Sequence, residues 1–347
     1  MSVDRSSTVG TASLEETALA LVRGKGILAA DESMGTIKKR FDPIGVESTE
    51  ENRRSYRGML FEAEGAEEFV SGVILFDETI RQKDSEGTPF PELLAGKGII
   101  PGIKVDKGTK PLAGGEAGEK ITEGLDGLRP RLAEYRSLGA RFAKLRTVYS
   151  IGDDLPSDYC VEANSHVQAY YAALCVEQGI VPIVEPEVLM DGDHSIDGCY
   201  DTTLRVLTSV FSRLALYRVP LPQILLKTNM ILSGADASER AEVEEVAKRT
   251  LECFHEVLPP ELPGVVFLSG GQSEEEATAH LNAINRQAGG EAPWHLSFSY
   301  GRALQASALE AWRGSAANLS AGQEAYLHRA KLNAAAVHGS YSPEMEG

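Results

Sequence analysis

A short apolar run, mostly β-branched and ending in polar or charged residues, recurs eight times along this chain of 347 residues. The runs fall at residues 26–31, 70–77, 99–105, 141–148, 181–189, 223–230, 264–271 and 295–302. Polar stretches with helical spacing of their apolar residues separate most of them, as at 162–179, 201–218 and 241–257. Strand alternating with helix implies a parallel sheet. Eight strands predict closure into a TIM (β/α)8 barrel, an α/β fold, as one domain over 1–347, although strand count alone leaves an open sheet possible. A helical extension over about 1–24 and a flexible tail over about 338–347 complete the expected organisation. Ser13 with Glu16, and Ser273 with Glu276, have the spacing of capping boxes and mark two helix starts.

The informative departure from an ordinary barrel is charge at the strand ends. Residues i and i+2 of a strand share a face. Lys144 and Arg146, Glu185 and Glu187, and Lys227 and Asn229 are such pairs on three successive strands. Lys104 and Asp106 repeat the pattern on the strand before, and Asp31 ends the first. Buried charge is costly unless paired, and the C-terminal rim is where barrel enzymes place their chemistry. Each residue taken singly also fits a solvated loop start; the set at matching positions does not.

The set fits amine chemistry. Lys227 follows Leu225 and Leu226 in an apolar strand. Burial and a neighbouring cation, here Lys144, favour the neutral nucleophilic amine. A proton shuttle is then needed, and Glu185 and Glu187 are the candidates. Asp31 or a glutamate is the candidate base for a substrate hydroxyl. An iminium is itself an electron sink, so neither metal nor cofactor is expected. The seven histidines show no H-x-H or H-E-x-x-H spacing, which argues against a zinc site.

Two anion sites are indicated. Ser269, Gly270 and Gly271 lie between a strand and the capped helix start at Ser273, where backbone N–H groups converge. Gly301 and Arg302 end the next strand, and barrels commonly bind phosphate after strands seven and eight. A second basic group comprises Lys38, Lys39, Arg40, Lys104 and Lys107, with Ser33 and Thr36 nearby. Lys38 and Lys39 are read as solvated helix residues. Two cradles flanking one lysine imply a substrate with a phosphate at each end.

The net charge of −17 argues against nucleic acid as the main partner and requires that any anion site be local. Cys160, Cys175, Cys199 and Cys253 form no C-x-x-C pair and are expected to be reduced. No run of about 18 apolar residues is present, so no membrane helix is expected. The N-terminus has no apolar signal core, which predicts a cytoplasmic protein.

Seven stretches, in order, resemble the class I fructose-bisphosphate aldolases: GKGILAADES at 24–33, GIKVDKG at 102–108, FAKLR at 142–146, PIVEPE at 182–187, LLKTNM at 225–230, FLSGGQSEEE at 267–276 and SFSYGRALQ at 297–305. The resemblance covers nearly the whole chain. It implies that Lys227 forms the Schiff base and that Glu185 is the acid/base of imine formation. Asp31 would orient or deprotonate the C4 hydroxyl, and Lys144 and Glu187 would supply supporting charges. Ser269, Gly270, Gly271, Gly301 and Arg302 would cradle the C1 phosphate. Ser33, Thr36, Arg40, Lys104 and Arg146 would form the other end of the site. The implied reaction is reversible cleavage of fructose 1,6-bisphosphate to dihydroxyacetone phosphate and glyceraldehyde 3-phosphate, and the family usually forms homotetramers. Two departures stand out. Animal members end in a tyrosine that assists proton exchange, whereas here Tyr341 lies six residues from the end. Leu145 stands where many relatives have tryptophan. The competing readings are a Schiff-base barrel acting on a smaller sugar phosphate, and a scaffold protein on the same barrel.

Overall fold

The computed structural model describes residues 12–347. The first half of the expected N-terminal extension, residues 1–11, lies outside the described residues.

Eight parallel strands close into a barrel in which each strand pairs with its neighbours in sequence. They are β1 (Gly26–Ala30), β2 (Val70–Leu75), β3 (Ile100–Lys104), β4 (Phe142–Tyr149), β5 (Val181–Val188), β6 (Leu225–Thr228), β7 (Gly264–Phe267) and β8 (His295–Tyr300). A two-stranded antiparallel hairpin, Thr109–Pro111 with Lys120–Thr122, is inserted after β3. Its polar residues carry no apolar alternation, so the sequence pattern did not mark it.

The expected helices at 162–179 and 201–218 start earlier, as Asp158–Glu177 and Ile196–Leu216. Ser157 and Ser195 cap them: the Ser157 hydroxyl accepts from the Cys160 N–H at 3.1 Å, and Ser195 from Gly198 at 3.2 Å. Both capping boxes form, at Ser13 and at Ser273.

The barrel interior is a separate apolar cluster. Ile27, Ala29, Ile74, Phe142, Val181, Ile183, Leu225 and Val266 fill it, and Ala18, Leu21 and Val22 of the Leu14–Val22 helix close its lower end. Space is tight. A Cβ on Gly102 would lie 2.3 Å from the Phe142 ring, so only glycine fits there. The inward positions of β4, β5 and β6 below the rim are thus filled with hydrocarbon, and the charged residues two places further along stand on top of it.

The residues after His338 differ from the expected flexible tail. Tyr341 is buried, its N–H donates to Asn282 Oδ1 at 3.0 Å, and its hydroxyl donates to Glu346 at 2.8 Å. Arg329 holds both Glu346 oxygens, at 2.8 and 2.7 Å. The sequence shows few apolar residues there; it does not show that Arg329, on the Leu319–Val337 helix, is buried and lacks another carboxylate.

Candidate active site

The strand alternation that packs the interior also sets the chemistry at the rim. Phe142 points inward, so Lys144 does; Ile183 precedes Glu185 in the same way, and Leu225 precedes Lys227. The three charged side chains are 3–4% exposed. Lys227 Nζ lies 3.1 Å from Glu185 Oε1. Lys144 Nζ lies 2.8 Å from Glu185 Oε2 and 2.9 Å from Asp31 Oδ2. Asp106 stands 4.0 Å from Lys144 and 3.2 Å from Lys104.

Geometry separates the two glutamates that the sequence left as alternatives. Glu185 contacts both lysines, whereas Glu187 is paired with Arg146. Glu187 therefore holds the Arg146 guanidinium, and Glu185 is the carboxylate within reach of the amine.

Electrostatics fix the resting charges. Burial raises the Asp31 carboxyl, but Lys144, Lys227 and Lys104 outweigh it and hold the group well below the usual carboxylate range. Burial likewise raises Glu185, and Lys144, Lys227 and Arg146 pull it down. Lys144 is lowered by burial yet raised overall by Asp31, Glu185 and Asp106. Lys144 is thus a permanent cation between two carboxylates kept ionised, so both are in the form that can accept a proton.

These groups open into a cavity of about 900 Å³. On one side its wall includes Ser269, Gly270 and Gly271 after β7, and Gly301 and Arg302 after β8. Gly270 and Gly271 have φ of +49° and +99°, a backbone that glycine adopts without strain, and the Gln272 N–H donates to the Ser269 carbonyl at 3.0 Å to close the turn. Gly301 caps the Arg302–Trp312 helix with no side-chain hydrogen bond, leaving first-turn N–H groups for an anion. On the other side lie Ser33, Thr36, Arg40, Lys104 and Arg146. Ser33 Oγ is 3.0 Å from Thr36 Oγ1 at the start of the Met34–Phe41 helix. Lysine and arginine outnumber carboxylates along the wall, a local positive site on an acidic chain.

Sequence reasoning missed several members. Lys39 is exposed on its helix, as read, and also lines the cavity mouth. Glu32 pairs with Arg40 and lies 3.5 Å from the fully buried Arg57. Gln305 Nε2 donates to Ala29 O at 2.8 Å and Glu32 Oε1 at 3.1 Å, while Tyr56 OH donates to Gln305 Oε1 at 3.1 Å. Glu32 lies beyond the end of β1, where strand alternation no longer assigns a face. Arg57 and Tyr56 come from the Glu50–Glu62 helix, far from any motif. Asp106, by contrast, was legible from its i+2 relation to Lys104. Among the described residues no group of three or more His, Cys, Asp or Glu is placed to hold a metal ion. The four cysteines are buried and free.

The chain as a whole is similar to known proteins. The family described as fructose-bisphosphate aldolase class-I matches residues 13–347. A probable fructose-bisphosphate aldolase class 1 of Xanthomonas campestris pv. campestris is 54% identical over 330 residues, covering 94% of this chain and 98% of that one. Cytosolic fructose-bisphosphate aldolase 4 of Arabidopsis thaliana is 50% identical over 323 residues, 93% of this chain and 82% of the relative. Among solved structures, the fructose-bisphosphate aldolase of Plasmodium falciparum, in complex with TRAP and a small-molecule inhibitor, superposes with a TM-score of 0.93. It is 49% identical and covers 95% of each chain.

Proposed function

The chain belongs to the class I fructose-bisphosphate aldolase family, and within that family we propose that Lys227 is its Schiff-base lysine and Glu185 the proton carrier of imine formation. The protein is a lyase that reversibly cleaves fructose 1,6-bisphosphate to dihydroxyacetone phosphate and glyceraldehyde 3-phosphate. The observation that carries the residue assignment is the 3.1 Å approach of Lys227 Nζ to Glu185 Oε1.

The proposed steps use groups already in place. Glu185 takes a proton from the Lys227 ammonium, and the free amine attacks the C2 carbonyl of the open-chain ketose. Glu185 returns the proton as water leaves the carbinolamine, giving the iminium. Asp31, held ionised by Lys144, then accepts the C4 hydroxyl proton as the C3–C4 bond breaks. The electron pair moves into the iminium, which becomes an enamine, and the aldehyde departs. Protonation at C3 and hydrolysis release dihydroxyacetone phosphate and restore Lys227. Lys144 and Glu187 keep the charges around the imine fixed. The Ser269–Gly271 turn with Gly301 and Arg302 is proposed for the C1 phosphate. Ser33, Thr36, Arg40, Lys104 and Arg146 are proposed for the other end.

A homotetramer in the cytoplasm, as a single barrel domain, completes the proposal. The cytosolic relative supports the location. No described helix is long and apolar enough to cross a membrane.

The test is trapping. The protein is incubated with dihydroxyacetone phosphate in EDTA, reduced with borohydride, and mapped by peptide mass spectrometry. An adduct on Lys227 is expected; an adduct on another lysine, or none on folded protein, overturns the assignment.

A further inference from the structure

The turn after β7 is held from behind by a side chain outside the cavity wall. His280 lies on the Glu274–Ala288 helix, 3% exposed, with Nδ1 2.6 Å from Gln272 Oε1. Gln272 is equally buried, at 2%, and is the first residue after the two glycines. Its Nε2 donates to Met230 Sδ at 3.7 Å, three residues beyond Lys227. An amide oxygen only accepts hydrogen bonds, so the His280 Nδ1 carries the proton. Among the described residues, Gln272 is the only hydrogen-bond partner of the His280 ring.

Two facts argue for more than core packing. A histidine buried to this degree gives up solvation that a leucine would not. The turn it supports also has little anchorage of its own. Gly270 and Gly271 have no side chains and wide backbone freedom, so the conformation of 269–271 depends on what fixes the residue that follows. Gln272 is fixed on two sides, to His280 on the helix behind and to Met230 at the end of the strand that carries Lys227. This amide therefore adds a side-chain tie between the turn and the segment after Lys227, beyond the backbone pairing that ends at Leu268.

We propose that His280 is a positioning residue for substrate binding: by orienting Gln272 it fixes the Ser269–Gly271 turn, and so sets affinity for the phosphorylated end of the substrate. This rests on the reading of that turn as a phosphate cradle.

The test compares His280→Phe, His280→Asn, Gln272→Leu and, as a control on the cradle, Arg302→Ala, in steady-state cleavage of fructose 1,6-bisphosphate. Thermal melting is recorded for each. Leaving the Gln272 acceptor unpaired should raise KM about tenfold in His280→Phe while kcat changes less than about threefold. His280→Asn offers an N–H to the same acceptor and should recover most of the affinity, an outcome that a purely structural histidine does not predict. Should His280→Phe fail to fold, Gln272→Leu tests the same bond from the other side and should show the same KM rise. A wild-type KM in His280→Phe or Gln272→Leu, with KM raised in Arg302→Ala, overturns the role of His280. An unchanged KM in Arg302→Ala overturns the cradle reading and the inference with it.

Discussion

Lys227 Nζ lies 3.1 Å from Glu185 Oε1, on adjacent barrel strands, with neither residue more than 4% exposed. Glu185→Gln keeps the size and hydrogen-bonding capacity of the group but removes its ability to carry a proton. We expect kcat to fall by about two to four orders of magnitude. The rate of borohydride labelling of Lys227 with dihydroxyacetone phosphate should fall with it. Labelling at the wild-type rate would remove Glu185 from imine formation.

Lys144→Met leaves the Asp31 and Glu185 carboxylates buried without the cation between them. Breaking a buried pair in this way costs about 3–5 kcal/mol. The pH dependence distinguishes this cause from loss of packing. In the native protein both carboxyls are held below their usual values of 3.8 and 4.5, so their contribution is full above those values and is lost as pH falls through the folded ones. Without Lys144, burial is opposed only by Lys227 with Lys104 or Arg146, so both carboxyls rise and low pH costs the folded variant less. The melting deficit of the variant at pH 7.5 should narrow at pH 5. A deficit constant across that range would point to packing instead.

Burial pulls His280 from 6.5 down to about 4. Between those values the unfolded chain binds the proton and the folded one does not, so stability decreases as pH falls through the window. The contribution at pH 5, relative to pH 8, is a loss of about 2 kcal/mol. His280→Asn does not titrate there and should show a correspondingly shallower loss in urea unfolding between pH 8 and 5. Parallel curves for the two proteins would refute the assignment.

The tail makes a separate prediction. Tyr341 does not line the cavity; burial and the adjacent Glu346 push its phenol up to about 12. Tyr341→Phe should leave kcat, and exchange of the C3 proton of dihydroxyacetone phosphate with solvent, within about twofold of wild type, since only one hydrogen bond is lost. Arg329→Met should destabilise the fold by about 1–3 kcal/mol, the cost of losing the charge-assisted hydrogen bonds to Glu346. A large loss of proton exchange in Tyr341→Phe would return the tail to the reaction.

The sequence by itself determined the barrel and most of the rim. Period-two alternation on eight apolar runs fixes which side chains face inward, and charges placed two residues beyond inward hydrocarbon have only the rim to occupy. Lys144, Glu185 and Lys227 were legible for that reason, as was the turn at Ser269–Gly271 before a capped helix. What only the tertiary structure decided is which charge meets which. Strand stagger around the closed barrel, absent from any local pattern, puts Glu185 against both lysines and leaves Glu187 to Arg146. The same holds for groups brought from distant elements. Arg57 reaches Glu32, Arg329 reaches Glu346, and His280 reaches Gln272 because buried polar groups must find partners wherever packing places them.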